Sequence, residues 1–457
     1  MRHVITMTVT GSVGLLGLFL VDFANLYYIS LLGEAELAAA IGFAGTLVFF
    51  NISISIGIMI AAGALVSRSL GEENRDQARS RAGTAMVMSF ILLSMVSAAT
   101  YIFIPELLTM IGAKGETLAV ATHFLEIVVP SLPIMGIGMT ASGSLRAAGD
   151  GRRSMFVTLI AGLVTAVLDP FLIFGLDMGV TGAAVASVIS RFIMAFLGLY
   201  WAAKVHNLVG LPDPKHFRED FKALLGIAIP AILTNVATPV GNAWVTASMA
   251  PYGDDAVAGW AVVGRLIPIS FAAFFALSGA VGPIFGQNLG AKQFDRVRRV
   301  LVDSLIFMTI YTLVIWAVLA LLAEVIADAF QSTGDMRDLI IFFCTIVAGT
   351  GIFQGMMFVA NAAFNNLGFP TYSTVINWGR STLGTIPFVW VGAQIAGAKG
   401  VMLGQFLGVA MFGIVAIILC FRVIGKLDGS PPSAGLKPPV WSAGLNPFSS
   451  GKSASAG

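Results

Sequence analysis

Charged side chains are scarce in this sequence. Asp, Glu, Lys and Arg make up 11% of the 457 residues, whereas hydrophobic types make up 57%, and the mean hydropathy is +0.89. A soluble domain carries about 25% charged residues, so this chain cannot cover itself with a water-facing shell. The composition therefore predicts a protein whose main solvent is lipid.

Three further shortages exclude function classes. The net charge of +2 offers no excess of positive charge for a nucleic-acid partner. The two cysteines, Cys344 and Cys420, lie far apart in apolar runs, which excludes a disulfide framework and a CxxC metal site. The GxxxxGK[ST] phosphate loop is missing, and the four histidines lack metal-ligand spacing. We therefore expect neither an enzyme nor ATP-driven export by this chain alone.

Long apolar runs fill the sequence instead. About 20 apolar residues cross a bilayer as a helix. The runs lack the two-residue alternation of barrel strands, so we predict an all-α membrane protein. The twelve predicted spans are 5–31, 40–68, 82–105, 118–142, 154–176, 180–204, 222–250, 257–286, 299–325, 338–362, 371–395 and 398–424.

The predicted loops alternate in charge. One side is rich in arginine and lysine, as in the segments 68–81, 146–153, 204–222 and 292–299, and the other side holds mainly acids. Because cytoplasmic loops of membrane proteins carry the excess of Lys and Arg, the basic side is predicted to be cytoplasmic. Both termini then face the cytoplasm, and we expect the chain in a bacterial inner membrane.

The two halves of the chain resemble each other. GALVSRSLGEENRDQARSRA in the first half aligns with GPIFGQNLGAKQFDRVRRVL in the second, which places Gly71 on Gly290. Gly149 falls on Gly368 at the same spacing. Six helices per half make the repeats parallel, a pattern typical of transporters with a substrate site between the halves. The repeat favours alternating access over a channel.

The repeat and the composition also predict the domain boundaries. The segment after 425 is rich in Gly, Pro, Ser and Ala and cannot bury enough apolar surface to order itself. We predict an N-lobe at 1–203, a cytoplasmic linker at 204–221, a C-lobe at 222–425 and a disordered cytoplasmic tail at 426–457.

Two acids fall deep inside predicted spans. Asp22 lies in the first span and Asp169 in the fifth, directly before Pro170, which removes an amide proton and is expected to bend that helix. The repeat places Asn242 opposite Asp22 and Ile386–Pro387 opposite Asp169–Pro170, so the acids belong to the first half only. Ionisable groups at this depth cost several kcal/mol and usually mark function.

These acids predict a cation-coupling site. Two close carboxylates in a low-dielectric cavity cannot easily both stay ionised, which favours proton binding. Alternatively, Asp22 and Asp169 bind Na⁺ as metal ligands through their oxygens. Asn25, Thr165 and Ser187 are the polar residues expected to complete the site, because Asn25 and Thr165 are one helical turn from the acids and Ser187 is on the next helix.

Other polar residues in the second half are candidates for the substrate cavity. Arg265 could sense substrate or pair with Asn242, and the uncharged residues could line a cavity or tie helices together. The candidates are Asn235, Asn242, Arg265, Gln354 and Asn361. Arg191 and Arg380 are expected to reach carbonyls or the interface by snorkelling.

Over about residues 5–425 the sequence resembles the multidrug and toxic compound extrusion (MATE) family. The segments that carry the resemblance are the early Asp22 followed by LGEAELAAA, then RSLGEENRDQA, GQNLGAKQFDRV, SLRAAGDGRRS and LDPFLIFGLDMGVTGAAVAS. The resemblance implies two six-helix lobes that form a V, and cation-coupled drug efflux.

The resemblance also implies roles for individual residues. Members of the DNA-damage-inducible F branch use acids on helices one and five, which Asp22 and Asp169 match. The Asn one turn before the helix-five acid is Thr165 here, and the helix-six Thr is Ser187. The exchange of Asn for Thr weakens the case for Na⁺. No acid lies on helix seven, so the mechanism of the other branch is not supported.

We therefore expect a secondary active antiporter that exports small, cationic or amphipathic drugs in exchange for H⁺ or Na⁺. The alternative is a lipid or lipid-linked oligosaccharide flippase, which should carry a strongly basic central cavity where this sequence offers acids. The expected partners are small-molecule substrates and membrane lipids, with no nucleic acid, no cofactor other than the coupling ion, and a monomeric state.

Overall fold

The fold is given by a computed structural model. It describes residues 35–210 and 212–427, together with six residues of the first predicted span: Thr8, Gly11, Ser12, Gly14, Leu16 and Gly17. Within these residues the chain is built from helices and turns, with no strand. Asp22, Asn25 and the predicted tail lie outside the described residues.

The first half contains seven described helices. They are α1 (Ala35–Gly71), α2 (Arg75–Ile102), α3 (Ile104–Met110), α4 (Gly115–Val128), α5 (Leu132–Ala147), α6 (Gly151–Pro170) and α7 (Gly179–Lys204). A 3-10 turn, Val129–Ser131, joins α4 to α5, and a π-helical turn, Phe171–Gly175, follows α6.

The second half repeats this order. Its helices are α8 (Phe217–Met249), α9 (Asp254–Ser270), α10 (Ala272–Gly290), α11 (Phe294–Leu321), α12 (Ala323–Ala329), α13 (Gly334–Thr345), α14 (Gly351–Leu367), α15 (Pro370–Ser381) and α16 (Ile386–Leu427). The backbone of α16 is not helical at Ala396 and Gly397, so α16 is two helices joined by a kink.

The predicted repeat is confirmed by the backbone. Left-handed φ angles, which few residue types adopt, recur in turns at the spacing that separates Gly71 from Gly290. The pairs are Glu73 with Lys292, Gly112 with Gln331, Gly115 with Gly334, and Gly149 with Gly368. The short helices α3 and α12, which the sequence did not predict, correspond at the same spacing.

The helices account for eleven of the twelve predicted spans. Nine are long and apolar enough to cross a membrane, and the pair α9 and α10, bent by 44°, makes a tenth. The run Pro370–Leu427 has 58 residues. A helix rises about 1.5 Å per residue, so this run is far longer than a bilayer is thick. The kink at Ala396–Gly397 divides it into two spans. The first predicted span lies mostly outside the described residues.

Small residues on α5 hold the first half together. A Cβ added to Gly138 would meet the backbone of Met194 and Ala195 on α7, and one added to Gly143 would meet Met59 on α1. Helices in a membrane gain little from the hydrophobic effect and associate by close packing of such residues. α5 is therefore the central helix of this half.

The second half is packed around larger side chains. Phe271, Phe274 and Phe364 are fully buried, and the first two stack with their ring centroids 4.8 Å apart. Gly351 on α14 leaves room for the Phe271 ring, where an added Cβ would come within 3.0 Å of it. α14 thus has in this half the place that α5 has in the first.

The chain divides into two compact units. The first unit is Val9–Ala228, and the second contains the residues from Ile229 onward together with Met1–Thr8, so that the boundary lies inside α8. The start of α8 is bound to the first unit by an ion pair: Arg81 on α2 lies 3.2 Å from the Asp220 carboxylate, and both side chains are largely buried. Arg81 also donates a hydrogen bond to the Ser69 hydroxyl at 2.7 Å. Asp220 is itself part of the predicted linker 204–221, so the end of this linker is helical and is fixed to the first unit.

The Arg81–Asp220 pair generates a stability prediction. Asp220→Asn leaves a buried guanidinium without its counter-charge, so we expect a loss of about 3 kcal/mol and a lower thermal midpoint in detergent. Asp338→Asn is the matched control, because its pair with Lys399 is exposed and should contribute less than about 1 kcal/mol. Equal midpoints for the two variants would contradict this account of the ion pair.

Candidate ion-coupling site

Asp169 is the penultimate residue of α6, and it is fully buried. Neither carboxylate oxygen has a hydrogen-bond partner among the described residues. An ionised carboxylate withdrawn from water without a partner costs several kcal/mol. Among the contacts of the described residues nothing offsets this cost, which a bound proton or a cation beside the carboxylate would remove.

The backbone beside Asp169 is irregular. Pro170 cannot donate an amide proton, and the chain passes from α6 into the π-helical turn Phe171–Gly175. π-turns inside helices are frequent at functional sites. The prediction of a local disruption at Pro170 agrees with this turn, although the helix continues beyond the proline instead of ending there.

Gly182 lets α7 pack closely against this π-helical turn. A Cβ added to Gly182 would lie 2.8 Å from the carbonyl carbon of Leu172 and 3.0 Å from the amide nitrogen of Ile173. A larger residue at 182 would push α7 away from the turn that follows Asp169. The close approach of backbone to backbone leaves little room for water at this point.

The neighbours predicted for Asp169 make other contacts. Thr165 is half-buried, and its hydroxyl donates to the Ala161 carbonyl of its own helix at 3.2 Å. Ser190 on α7 donates to the same carbonyl at 2.8 Å. Ser187 is half-buried on α7. The participation of Thr165 and Ser187 in cation binding stays a prediction, and so does that of Asp22 and Asn25.

The first segment of the chain reaches the helix that carries Asp169. A Cβ added to Gly14 would meet Met155 of α6, and one added to Gly17 would meet Leu159 of the same helix. Both glycines therefore let this segment lie directly against α6.

Arg191 and Arg146 make no ion pair with a carboxylate among the described residues. Arg191 donates to the Val128 carbonyl at 2.8 Å and to the Ser131 hydroxyl at 2.7 Å. The prediction that Arg191 reaches a carbonyl is thus met in the structure, at the break between α4 and α5. Arg146 on α5 points a guanidinium nitrogen at the Met59 sulfur, 2.7 Å away.

The residues predicted to line the substrate cavity contact different partners and not one another. The Asn361 side-chain oxygen accepts from Asn377 at 3.0 Å, which ties α14 to α15. Asn242 is exposed and accepts from Gln405 at 3.4 Å. Asn235 donates to the Ala231 carbonyl of its own helix at 2.8 Å.

Arg265 is exposed on α9, and Gln354 is half-buried on α14. The contacts above lead to residues outside the set of five candidates, so a shared cavity stays a prediction. The second-half arginine predicted to snorkel, Arg380, donates instead to the Thr238 hydroxyl at 2.9 Å.

Sequence reasoning missed the polar face of α15. Ser373, Asn377 and Ser381 recur every four residues and are all buried. The i, i+4, i+8 spacing was visible in the sequence and indicates one helix face. Together with Asn361 these residues form an uncharged polar strip inside the second half.

Comparisons with known proteins give consistent results. The MatE family profile matches residues 12–171 and again residues 230–391. The FAD transporter of Shewanella oneidensis is 28% identical over 428 residues, which cover 92% of this chain and 94% of that protein. The multidrug export protein MepA of Staphylococcus aureus is 22% identical over 411 residues, covering 88% and 89%.

The fold also matches a solved structure. A mutant of the Vibrio cholerae MATE transporter VcmN superposes with a TM-score of 0.89 at 23% identity, covering 94% of this chain and 98% of that one. At this identity the similarity supports the fold and not the activity.

The two aspartates at the ends of α6, Asp150 and Asp169, lead to different predictions for the stability of their Asn variants. Burial acts to raise the pKa of Asp150, but hydrogen bonds from the Arg153 amide, His206 and the Arg153 guanidinium outweigh it and hold this pKa below its ordinary value of 3.8. A depressed carboxyl pKa contributes stability that is fully present above the unfolded-state pKa and is lost as the pH falls through the folded-state pKa.

We therefore expect Asp150→Asn to lower stability at pH 7 by about 1 kcal/mol and Asp169→Asn to leave the thermal midpoint unchanged or higher. The second expectation follows because Asp169 gives up no hydrogen bond within the described residues. The measurement is thermal unfolding of both variants in the same detergent at pH 7. A lower midpoint for Asp169→Asn than for Asp150→Asn would show that Asp169 has a structural partner.

Proposed function

We propose that this chain, which belongs to the MATE family of membrane transporters, exports small cationic or amphipathic molecules across a bacterial inner membrane in exchange for protons. The observation that carries the proposal is the buried Asp169 carboxyl group without a hydrogen-bond partner among the described residues. The similarity to the multidrug export protein MepA supports the class of cargo.

The exchange rests on the charge of Asp169. In the ionised state its carboxylate attracts a cationic cargo, since an unpaired buried charge gains most from a counter-ion. A proton that binds the same oxygen removes that attraction and releases the cargo. Proton and cargo thus compete for one group, and their binding is linked and reciprocal.

A proton is favoured over Na⁺ as the coupling ion. Hard cations are held by several oxygen ligands together, whereas a proton needs only one carboxylate oxygen. The Thr165 hydroxyl donates to the Ala161 carbonyl and not to Asp169.

Asp22 is proposed as the second member of the site on sequence grounds. It is the other acid inside a predicted span of the first half, and the segment before it lies against α6 at Gly14 and Gly17. Two carboxyl groups close enough to interact would release their protons in two steps that belong to the pair and not to either acid alone. The cytoplasmic position of both termini follows from the basic loops and remains part of the proposal, as does a monomeric state.

An anionic cargo is the second candidate. The similarity to a FAD transporter extends over 92% of the chain, and FAD carries a pyrophosphate. Arg191 lies inside a span of the first half and Arg146 lies in the last turn of α5. Neither has an ion-pair partner among the described residues, since their contacts are to a sulfur, a carbonyl and a hydroxyl. Such groups could accept phosphate oxygens.

Transport in proteoliposomes tests the proposal. We expect a proton gradient alone to drive uptake of a cationic dye into inverted vesicles and a Na⁺ gradient alone to leave it at background. Asp169→Asn and Asp22→Asn should each abolish gradient-driven transport, because the titratable group is lost while the shape is kept. Asp338→Asn is the control, because its exposed pair with Lys399 lies outside the proposed site, and it should transport as the wild type does.

The cargo class is tested in the same vesicles. Competition by an excess of a cationic drug supports the first candidate, and competition by FAD supports the second. Wild-type transport in Asp169→Asn, or coupling to Na⁺ alone, would contradict the proton mechanism.

A further inference from the structure

A cleft of about 340 Å³ opens at the basic end of the first unit. It lies where α5 ends at Ala147, where α6 begins at Gly151 and where α7 ends at Lys204. The residues that line it are Asp150, Arg152, Arg153, Phe156 and Trp201. Neither the coupling site nor the proposed transport cycle uses any of them.

The one acid of the cleft is already satisfied. Asp150 accepts from the Arg153 amide at 3.0 Å and lies 2.8 Å from His206, and its carboxylate also pairs with the Arg153 guanidinium. These contacts hold Arg153 and His206 in place. They leave the negative charge of Asp150 shared between two basic groups.

Arg152 has no such partner. It is exposed, and among the described residues no carboxylate forms an ion pair with it. Its guanidinium carbon lies 5.8 Å from the centre of the Phe156 ring, a cation–π distance that fixes the group over an aromatic face. Within the described part of the chain, the cleft therefore presents a guanidinium that contacts an aromatic ring and forms no ion pair.

Two aromatic side chains, Phe156 and Trp201, form the apolar part of the cleft. Phe156 is one turn after Arg152 on α6, and Trp201 is one turn before Lys204 on α7, so each pair shares a helix face. Tryptophan is enriched at the membrane–water interface. A ligand that fits carries an anion at one end and an apolar body at the other.

The fold does not require these charges. At the spacing of the repeat, which places Gly149 on Gly368, the second half replaces every charged residue of the cleft. It has Phe369 for Asp150, Thr371 for Arg152, Tyr372 for Arg153 and Val375 for Phe156. The same helix junction is thus built without a single charge at these positions. The basic cleft is a feature of the first unit alone.

We propose that this cleft binds the phosphate headgroup of an anionic phospholipid from the leaflet on the basic side of the membrane. Arg152 holds the phosphate, Lys204 and Arg153 add positive charge, and Phe156 and Trp201 contact the glycerol and upper acyl chain. Anionic lipids of the cytoplasmic leaflet attract basic groups of this kind. A phosphate at the level where the spans end belongs to a lipid more readily than to a free ion.

The test compares lipids on the purified full-length transporter. Phosphatidylglycerol and phosphatidylcholine with identical acyl chains are titrated in detergent, and the lipid-bound fraction is measured by native mass spectrometry. We expect wild type to prefer phosphatidylglycerol. Arg152→Gln should weaken its binding about five-fold and leave phosphatidylcholine binding unchanged, whereas Arg152→Lys should keep most of the preference.

Arg75→Gln is the matched control, because Arg75 is an exposed arginine at the start of α2 on the same basic side. Its phosphatidylglycerol affinity should equal that of wild type, and thermal midpoints confirm that all variants are folded. Equal binding of the two lipids by wild type, or equal losses in Arg152→Gln and Arg75→Gln, would overturn the proposal. Displacement of the lipid by millimolar inorganic phosphate would identify a free-anion site and overturn it as well.

Discussion

Inside a bilayer every backbone amide and carbonyl must find its partner within the protein, because hydrocarbon offers none. Straight helices meet this requirement by themselves, so the informative places are those at which a helix is interrupted. Between α4 and α5 the 3-10 turn leaves the Val128 carbonyl open, and both Ser131 and Arg191 donate to it. α8 continues through Pro230, and there the Pro230 carbonyl accepts from the hydroxyl groups of Thr234 and Thr374.

The interruption at Pro170 is the exception to this pattern. The backbone there continues through a π-helical turn against Gly182, but the polar side chain beside it, Asp169, has no partner among the described residues. Several neutral side chains of the described residues also have a buried polar atom without a partner, but Asp169 is the one carboxyl group among them, and an unpaired buried carboxylate costs far more than an unpaired hydroxyl or amide. The buried and unpaired carboxyl group is the physical basis for our proposal that ion coupling takes place in the first half of the chain.

The internal repeat shows that the fold does not depend on the buried Asp169 carboxyl group. Both halves share helix order and the positions of left-handed turns, so the architecture needs neither acid nor basic cleft. The second half has Ile386 in place of Asp169 and Thr371 in place of Arg152, and its interior holds the uncharged strip of Ser373, Asn377 and Ser381. These two charged residues are thus found in one copy of the repeat, and the other copy has the same helix order without them.

Much of this could be predicted from the sequence. Apolar run length predicted the spans and repeated loop motifs predicted the tandem halves, since both signals are local and strong. Helices as short as α3 and α12 could not be predicted, because so few residues carry too little periodicity. The contacts of Asn361 and Arg191 depend on which helices become neighbours, and no single span contains that information.

The central claim is that one titratable group in the first half binds either a proton or a cationic cargo. It is tested most directly by proton release: the purified transporter in weakly buffered detergent, with a pH-indicator dye, receives a saturating cationic drug near neutral pH. The account predicts release of up to about one proton for each drug bound by wild type and none by Asp169→Asn. Drug binding without proton release in wild type, or equal release in the variant, would contradict it.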